Sequence, residues 1–172
     1  MAILVSDKVE IDVNVMQRSV IATANWLFQV ALKVANLRGL PPDYLINKRE
    51  IIEKGIFVWL AEKKLESISI EVSDPQRGEA IERFDFHFTY RSDPDSAVRE
   101  PNITRLEKFC HTLEALPPGA EYKVVVGTGD SATEVPGWYP YEFRPLNVTR
   151  QEQLSDHGFG HIGTTLIYRG GR

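Results

Sequence analysis

The chain has 172 residues, enough for one domain, and its 42% hydrophobic and 26% charged residues exclude wholesale disorder and collagen-like repetition. A net charge of −4 and a pI near 5.6 give it no general pull toward nucleic acid. No run approaches the roughly eighteen consecutive apolar residues of a membrane span.

The N-terminus, MAILVSDKVEIDVNV, lacks a basic n-region and a long apolar stretch, so it is not read as a secretory signal. The single cysteine, Cys110, excludes an internal disulfide. The expected location is the cytoplasm, where the sequons at Asn102 and Asn147 carry no weight. Val9, Ile11 and Val13 alternate loosely and mark residues 1–13 as a short strand or a mobile arm.

From about Asn14 to Leu37 the period changes. Val20, Ile21, Ala24, Leu27, Phe28, Ala31, Val34 and Ala35 recur at three- and four-residue steps, which predicts a long amphipathic helix. Gly39 supplies its left-handed cap and Pro41-Pro42 stop it. A second helix is predicted from Asp43 or Asn47 to about Lys63, with Ile51, Ile52, Ile56, Trp59 and Leu60 inward. Gly55 inside it is a weak point.

A hairpin follows. Ile68, Ile70 and Val72 alternate with polar residues, the segment 73–78 has turn chemistry, and Phe84, Phe86, Phe88 and Tyr90 line one face of the returning strand. Arg83, Asp85, His87 and Thr89 take the other face, expected to be solvated. Pro101 suits the first turn of a third helix carrying Ile103, Leu106, Cys110 and Leu113 on one stripe. Tyr122, Val124 and Val126 read as a strand that ends at Gly127-Thr128-Gly129. Residues 129–172 show no helical period; only Thr164 to Tyr168 reads as a strand, which Gly158, Gly160 and Gly163 weaken. The aromatics in Pro136-Gly137-Trp138-Tyr139-Pro140-Tyr141 argue against plain disorder.

Catalytic signatures are missing: no GxxxxGK[ST], GxSxG or HExxH occurs. Gly127-Thr128-Gly129 leads into no helix and is a turn, not a phosphate cradle. Asp156, His157 and His161 have metal-binding residue types but sit among glycines without a clear further ligand. Cys110 falls on a buried stripe and reads as a core thiol. Gly170-Gly171-Arg172 is one copy of an RGG-like element and reads as a fraying tail.

The element order, together with Gly39-Leu40-Pro41-Pro42-Asp43-Tyr44, the Trp59-Leu60 helix, the strand Phe84 to Tyr90, Ala120 to Val126, and Val135-Pro136-Gly137-Trp138, resembles a HORMA domain. The resemblance is to the bacterial HORMA proteins of CBASS antiphage systems, which work with cGAS-like nucleotidyltransferases. It implies an α+β fold: an antiparallel sheet packed on three helices, with a C-terminal "safety belt" arm that traps a "closure motif" peptide against the sheet edge. Carried onto this chain, residues 1–13 are an N-terminal tail, 14–128 the core and 129–172 the belt. The implied peptide-binding residues are Tyr122, Lys123, Val124, Val125 and Val126 on the edge strand, and Trp138, Tyr139, Tyr141 and Phe143 on the belt. The implied partners are a closure-motif peptide or another protein's tail, a cGAS-like nucleotidyltransferase that the domain activates, and an AAA+ ATPase that opens the domain by its N-terminal tail. No cofactor, catalytic residue, metal, membrane or direct nucleic-acid contact is implied.

Chain dimensions permit the wrap. A domain of this length is about 40 Å wide, whereas an extended chain the length of residues 129–172 reaches up to about 145 Å. Edge-strand hydrogen bonds add only about 1 kcal/mol each, so slow release must come from the enclosing arm, which explains the need for an ATP-driven opener. Deleting 138–172 is expected to abolish capture and leave the core folded. The alternatives are a constitutive adaptor for a partner tail, or a small enzyme with a metal site near 156–161.

Overall fold

The computed structural model describes residues 7–95 and 103–171. α1 spans Asp7–Leu37 and begins earlier than the periodicity suggested. Residues 7–13 are helical, not strand or arm. Val9, Val13, Met16 and Val20 already keep the three- and four-residue steps, so the short alternation was the weaker signal. Met1 to Ser6 of the expected tail lie outside the described residues. The helix stops as expected: Gly39 takes φ +68°, and Leu40 N–H donates to Ala35 O at 2.8 Å.

α2 spans Asp43–Ala61. It ends in the same way, except that Lys63 takes the left-handed position (φ +56°) while Lys64 N–H donates to Trp59 O at 2.8 Å. β1 (Leu65–Asp74) and β2 (Glu79–Asp95) form the hairpin. Asp74 builds its turn, accepting Gln76 N–H on its side chain and Gly78 N–H on its carbonyl, both at 2.9 Å. α3 spans Ile103–Cys110; Pro101, expected in its first turn, lies outside the described residues, and Leu113 sits in a following turn. Ile103, expected on the inner stripe, is exposed, and Phe109 is buried instead. β3 spans Glu121–Thr128 and β4 spans Arg150–Gly170.

The four strands form one antiparallel sheet in the order β3-β1-β2-β4. One face carries Ile68, Ile70, Val72, Phe84, Phe86, Val124, Leu166 and Tyr168 into the core with the helices. Trp26 of α1 meets Phe86 edge-on at 5.7 Å, and Phe109 of α3 meets Tyr168 at 4.9 Å. Residues Met16–Leu37 are long and apolar enough to cross a membrane by length and composition, but half of that stretch is buried inside the domain. The helix packs on β4 and α2, while Ile21 of the expected stripe stays exposed.

The opposite face is covered around Asp85, although Thr89 is exposed as expected. Asp85 is only 2% exposed; it accepts the Ser69 hydroxyl at 2.5 Å and is paired with Arg83 and Arg169. Residues 139–147 cross this face and shield it. Arg83 stacks 4.3 Å from the Phe143 ring centroid, and Ala80 N–H donates to Pro145 O at 3.1 Å.

β4 is far longer than the short strand expected, because the polar stretch after Arg150 also extends and residues 160–170 form a ladder with β2. The glycines serve it. A Cβ on Gly163 would collide with the Thr89 hydroxyl, and Gly160 takes φ +57° where the β2–β4 register shifts. Leu154, Ile162, Leu166 and Tyr168 are fully buried. The second half of the arm is therefore packed into the core, and removing 138–172 would strip these four side chains from it.

Candidate functional site

β3 lies at the border of the sheet and, among the described residues, pairs with β1 alone. The chain leaving it is steered back along the same border. Gly129 N–H donates to Lys64 O at 2.8 Å, and Ser131 takes φ +62°. Thr133 is then fixed to α2 and the turn behind it. Its carbonyl accepts Trp59 Nε1–H at 2.7 Å, its N–H donates to Glu62 Oε2 at 3.1 Å, and its hydroxyl donates to Glu62 Oε1. These two hydrogen bonds and the Lys64 charge lower the Glu62 pKa below its usual value, burial opposing them.

Trp138 is the next anchor. Its Nε1–H donates to Ile51 O at 3.1 Å, and its ring meets Trp59 edge-on at 5.2 Å. Two glycines make this close approach feasible. A Cβ on Gly55 would stand 2.5 Å from Trp138 Nε1, so the glycine that weakens α2 provides the seat for the indole. Gly137 takes φ +93° against Ile51. Farther on, Tyr141 O–H donates to Glu71 Oε1 at 2.5 Å, and Arg144 N–H donates to Glu71 Oε2 at 3.1 Å. Burial first, and then Glu71, raise the Tyr141 pKa.

Between this strap and β3 runs a groove of about 910 Å³, walled by Trp59, Val124, Val126, Val135, Pro136 and Trp138 among others. A lobe of about 190 Å³ extends it past Tyr44, Lys48 and Lys123. The groove combines apolar walls with a strand border that has no strand partner among the described residues. Such a site can take an extended peptide, which adds to the sheet by main-chain hydrogen bonds and sets alternate side chains into the walls.

The residues expected on the edge strand and arm divide in two. Lys123, Val124, Val125, Val126, Trp138, Tyr139 and Tyr141 converge on the groove or its lobe. Tyr139 is 83% exposed at the lip. Tyr122 faces the core, its O–H donating to Pro41 O at 2.6 Å and its ring 5.3 Å from Tyr44. Phe143 stacks on Arg83 outside the groove. Sequence reasoning missed Trp59, Glu62, Thr133 and Val135. For Trp59 a signal existed: it continues the row Tyr44, Lys48, Ile51 or Ile52, and Gly55 on one face of α2.

The described metal candidates lie in different surroundings. Asp156 is exposed, whereas His161 is buried with Nδ1 3.0 Å from Arg91 O; the His157 side chain lies outside the described residues. Among the described residues no group of three His, Cys, Asp or Glu side chains could hold a metal ion. Cys110 is buried, and burial pushes its thiol pKa up to about 11, away from reactivity.

Residues 8–168 match the family described as bacterial HORMA domain 2, and the chain belongs to that family. A chain of the mitotic checkpoint complex crystal structure is similar, with 15% identity over 90% of this chain and 99% of that one and a TM-score of 0.75. C. elegans HTP-2 bound to the HIM-3 closure motif is 16% identical over 88% of this chain and 91% of that one, with a TM-score of 0.67. A chain of the E. coli MS115-1 CdnC:HORMA-deltaN complex is 13% identical over 91% of this chain and 87% of that one, with a TM-score of 0.56. These likenesses establish a HORMA fold. No curated protein matches the sequence.

Proposed function

We propose that this domain is a non-catalytic, cytoplasmic switch that captures a closure-motif peptide between β3 and the 132–141 strap. In the captured state it binds and activates a cGAS-like nucleotidyltransferase in antiphage signalling. The observation that carries the reading is the pairing of β4 with β2, at the border opposite β3, which leaves β3 facing a strapped apolar groove. The peptide-bound HTP-2 and the CdnC:HORMA complex, named above for their folds, lend support by family. An AAA+ ATPase acting on residues 1–13 is the proposed opener. Its substrate contact would have to unravel the helical part, 7–13, from its N-terminal end.

Reconstitution tests this. The full chain, a peptide selected on it from a display library, and a purified cGAS-like nucleotidyltransferase are combined with nucleotides. The expected result is a stable complex on gel filtration and oligonucleotide synthesis that depends on the peptide. Synthesis that is equal with and without the domain–peptide pair would reject the activation role. Amide exchange over 129–149 that no selected peptide slows would reject capture.

A further inference from the structure

The groove is electrically polar along its length, and this bears on what it can select. At the end where the chain leaves β3, the charged wall residue is Glu134. In the lobe at the other end the charged residues are Lys48 from α2 and Lys123 from β3, and no acid lines it. Residues 123 to 128 of a strand span about 17 Å, so the two ends lie roughly five residues apart along a bound peptide.

Neither lysine forms a salt bridge among the described residues. On α2 the acid Glu53 is taken by Arg49 at 2.9 Å, and no ion pair involves Lys48 among the described residues. Lys123 stands opposite Glu71 in the ladder, but the two Glu71 oxygens accept Tyr141 O–H and Arg144 N–H. The Lys123 ammonium instead rests 4.9 Å from the Tyr141 ring centroid, held on the strap side of the lobe. Asp43 and Glu121 flank this end without lining it. With a chain charge of −4, attraction of an acidic ligand has to be local, and these two ammonium groups provide it.

Building on the peptide-capture reading, we propose that the groove selects an extended peptide carrying, at a fixed offset from its apolar anchors, a carboxylate side chain seated at Lys48 and Lys123. This polarity also fixes which way the peptide runs, since reversal would bring its carboxylate to Glu134. Each exposed pair contributes modestly, so the two together should change affinity about five- to tenfold.

The test uses the full chain and a random dodecapeptide display library, panned in parallel against wild type and Lys48→Glu/Lys123→Glu. Wild type should enrich peptides with Asp or Glu at a fixed offset from the apolar anchors; the reversed variant should replace that acid by Lys or Arg. A synthetic wild-type winner should lose about five- to tenfold in affinity when its acid becomes the amide, and the loss should shrink at high salt. Enrichment without an acid, or an acid retained by the reversed variant, overturns the proposal and leaves peptide capture standing. No enrichment on wild type overturns both. Lys48→Glu alone, on the exposed face of α2, repeats the comparison if the double variant melts early.

Discussion

The two borders of this sheet are treated in opposite ways. At β2 the border is closed from within the chain: β4 ladders onto it, inserts four fully buried side chains, and packs on α1 and α3. At β3 the strap keeps its distance, touching α2 through Trp138 and Thr133 and leaving a groove between. The same arm does both. Its second half is core and its first half is a tethered loop, anchored by the Trp138 indole and by polar contacts at Gly129, Thr133, Tyr141, Arg144 and Pro145. Stability is therefore concentrated at one border and adaptability at the other, and the residues linking them decide whether the arm acts as one piece.

The sharpest break in this comparison is at Glu82. Its carboxylate is fully buried and bound by Arg38 (Nε–Oε1 2.6 Å), whose guanidinium also donates to Glu114 O at 2.8 Å, and it accepts Tyr168 O–H at 3.2 Å. Glu82→Ala strands a buried guanidinium, and about 3–5 kcal/mol should be lost, read as a fall in the urea midpoint. Tyr168→Phe removes only the hydroxyl that β4 contributes, at about 1 kcal/mol. If β4 docks as an independent piece, Tyr168→Phe will speed amide exchange in 150–170 more than in β1 and β3. Uniform acceleration would mean that the closed border and the rest of the core unfold together.

Trp138→Ala addresses the other border. The indole is half-buried, so about 2 kcal/mol of strap anchoring should disappear while the urea midpoint barely moves. The expected sign is faster exchange over 132–141 and roughly thirtyfold faster peptide release, with β4 unchanged. Loss of global stability equal to the local loss would show that the strap belongs to the core after all, and the contrast between the borders would collapse.

Much of this division was legible in the residues, but not the part that closes the sheet. The helical steps of α1 and α2 and the strict alternation of β2 each bury one face, and one-sided burial writes itself into local spacing. β4 lacks that spacing. Gly158, Gly160 and Gly163 look like breaks until Thr89 and the shifted register show what they accommodate. Asp85 was misplaced for a related reason: a polar strand face reads as solvated unless the segment covering it, here 139–147, is known to cross there. At the groove, Lys123 to Val126 and Trp138 could be named from chain order. Thr133 and Glu62, seventy-one positions apart, could not, since only tertiary packing joins them.

That last contact also sets the smallest effect. Glu62 is exposed and its pKa is held below 4.5 by the hydrogen bonds from Thr133. A depressed carboxyl contributes fully above its ordinary pKa and loses its contribution as the pH falls through the lower, folded value. The clasp at the start of the strap should thus be intact from neutral pH down to about 4.5 and loosen only below it. Amide exchange at Thr133, corrected for intrinsic rate, should show added opening in that acid range in wild type and none in Glu62→Gln, while Trp138 contacts persist in both. If Glu62→Gln keeps the acid-dependent opening, the titrating group lies elsewhere.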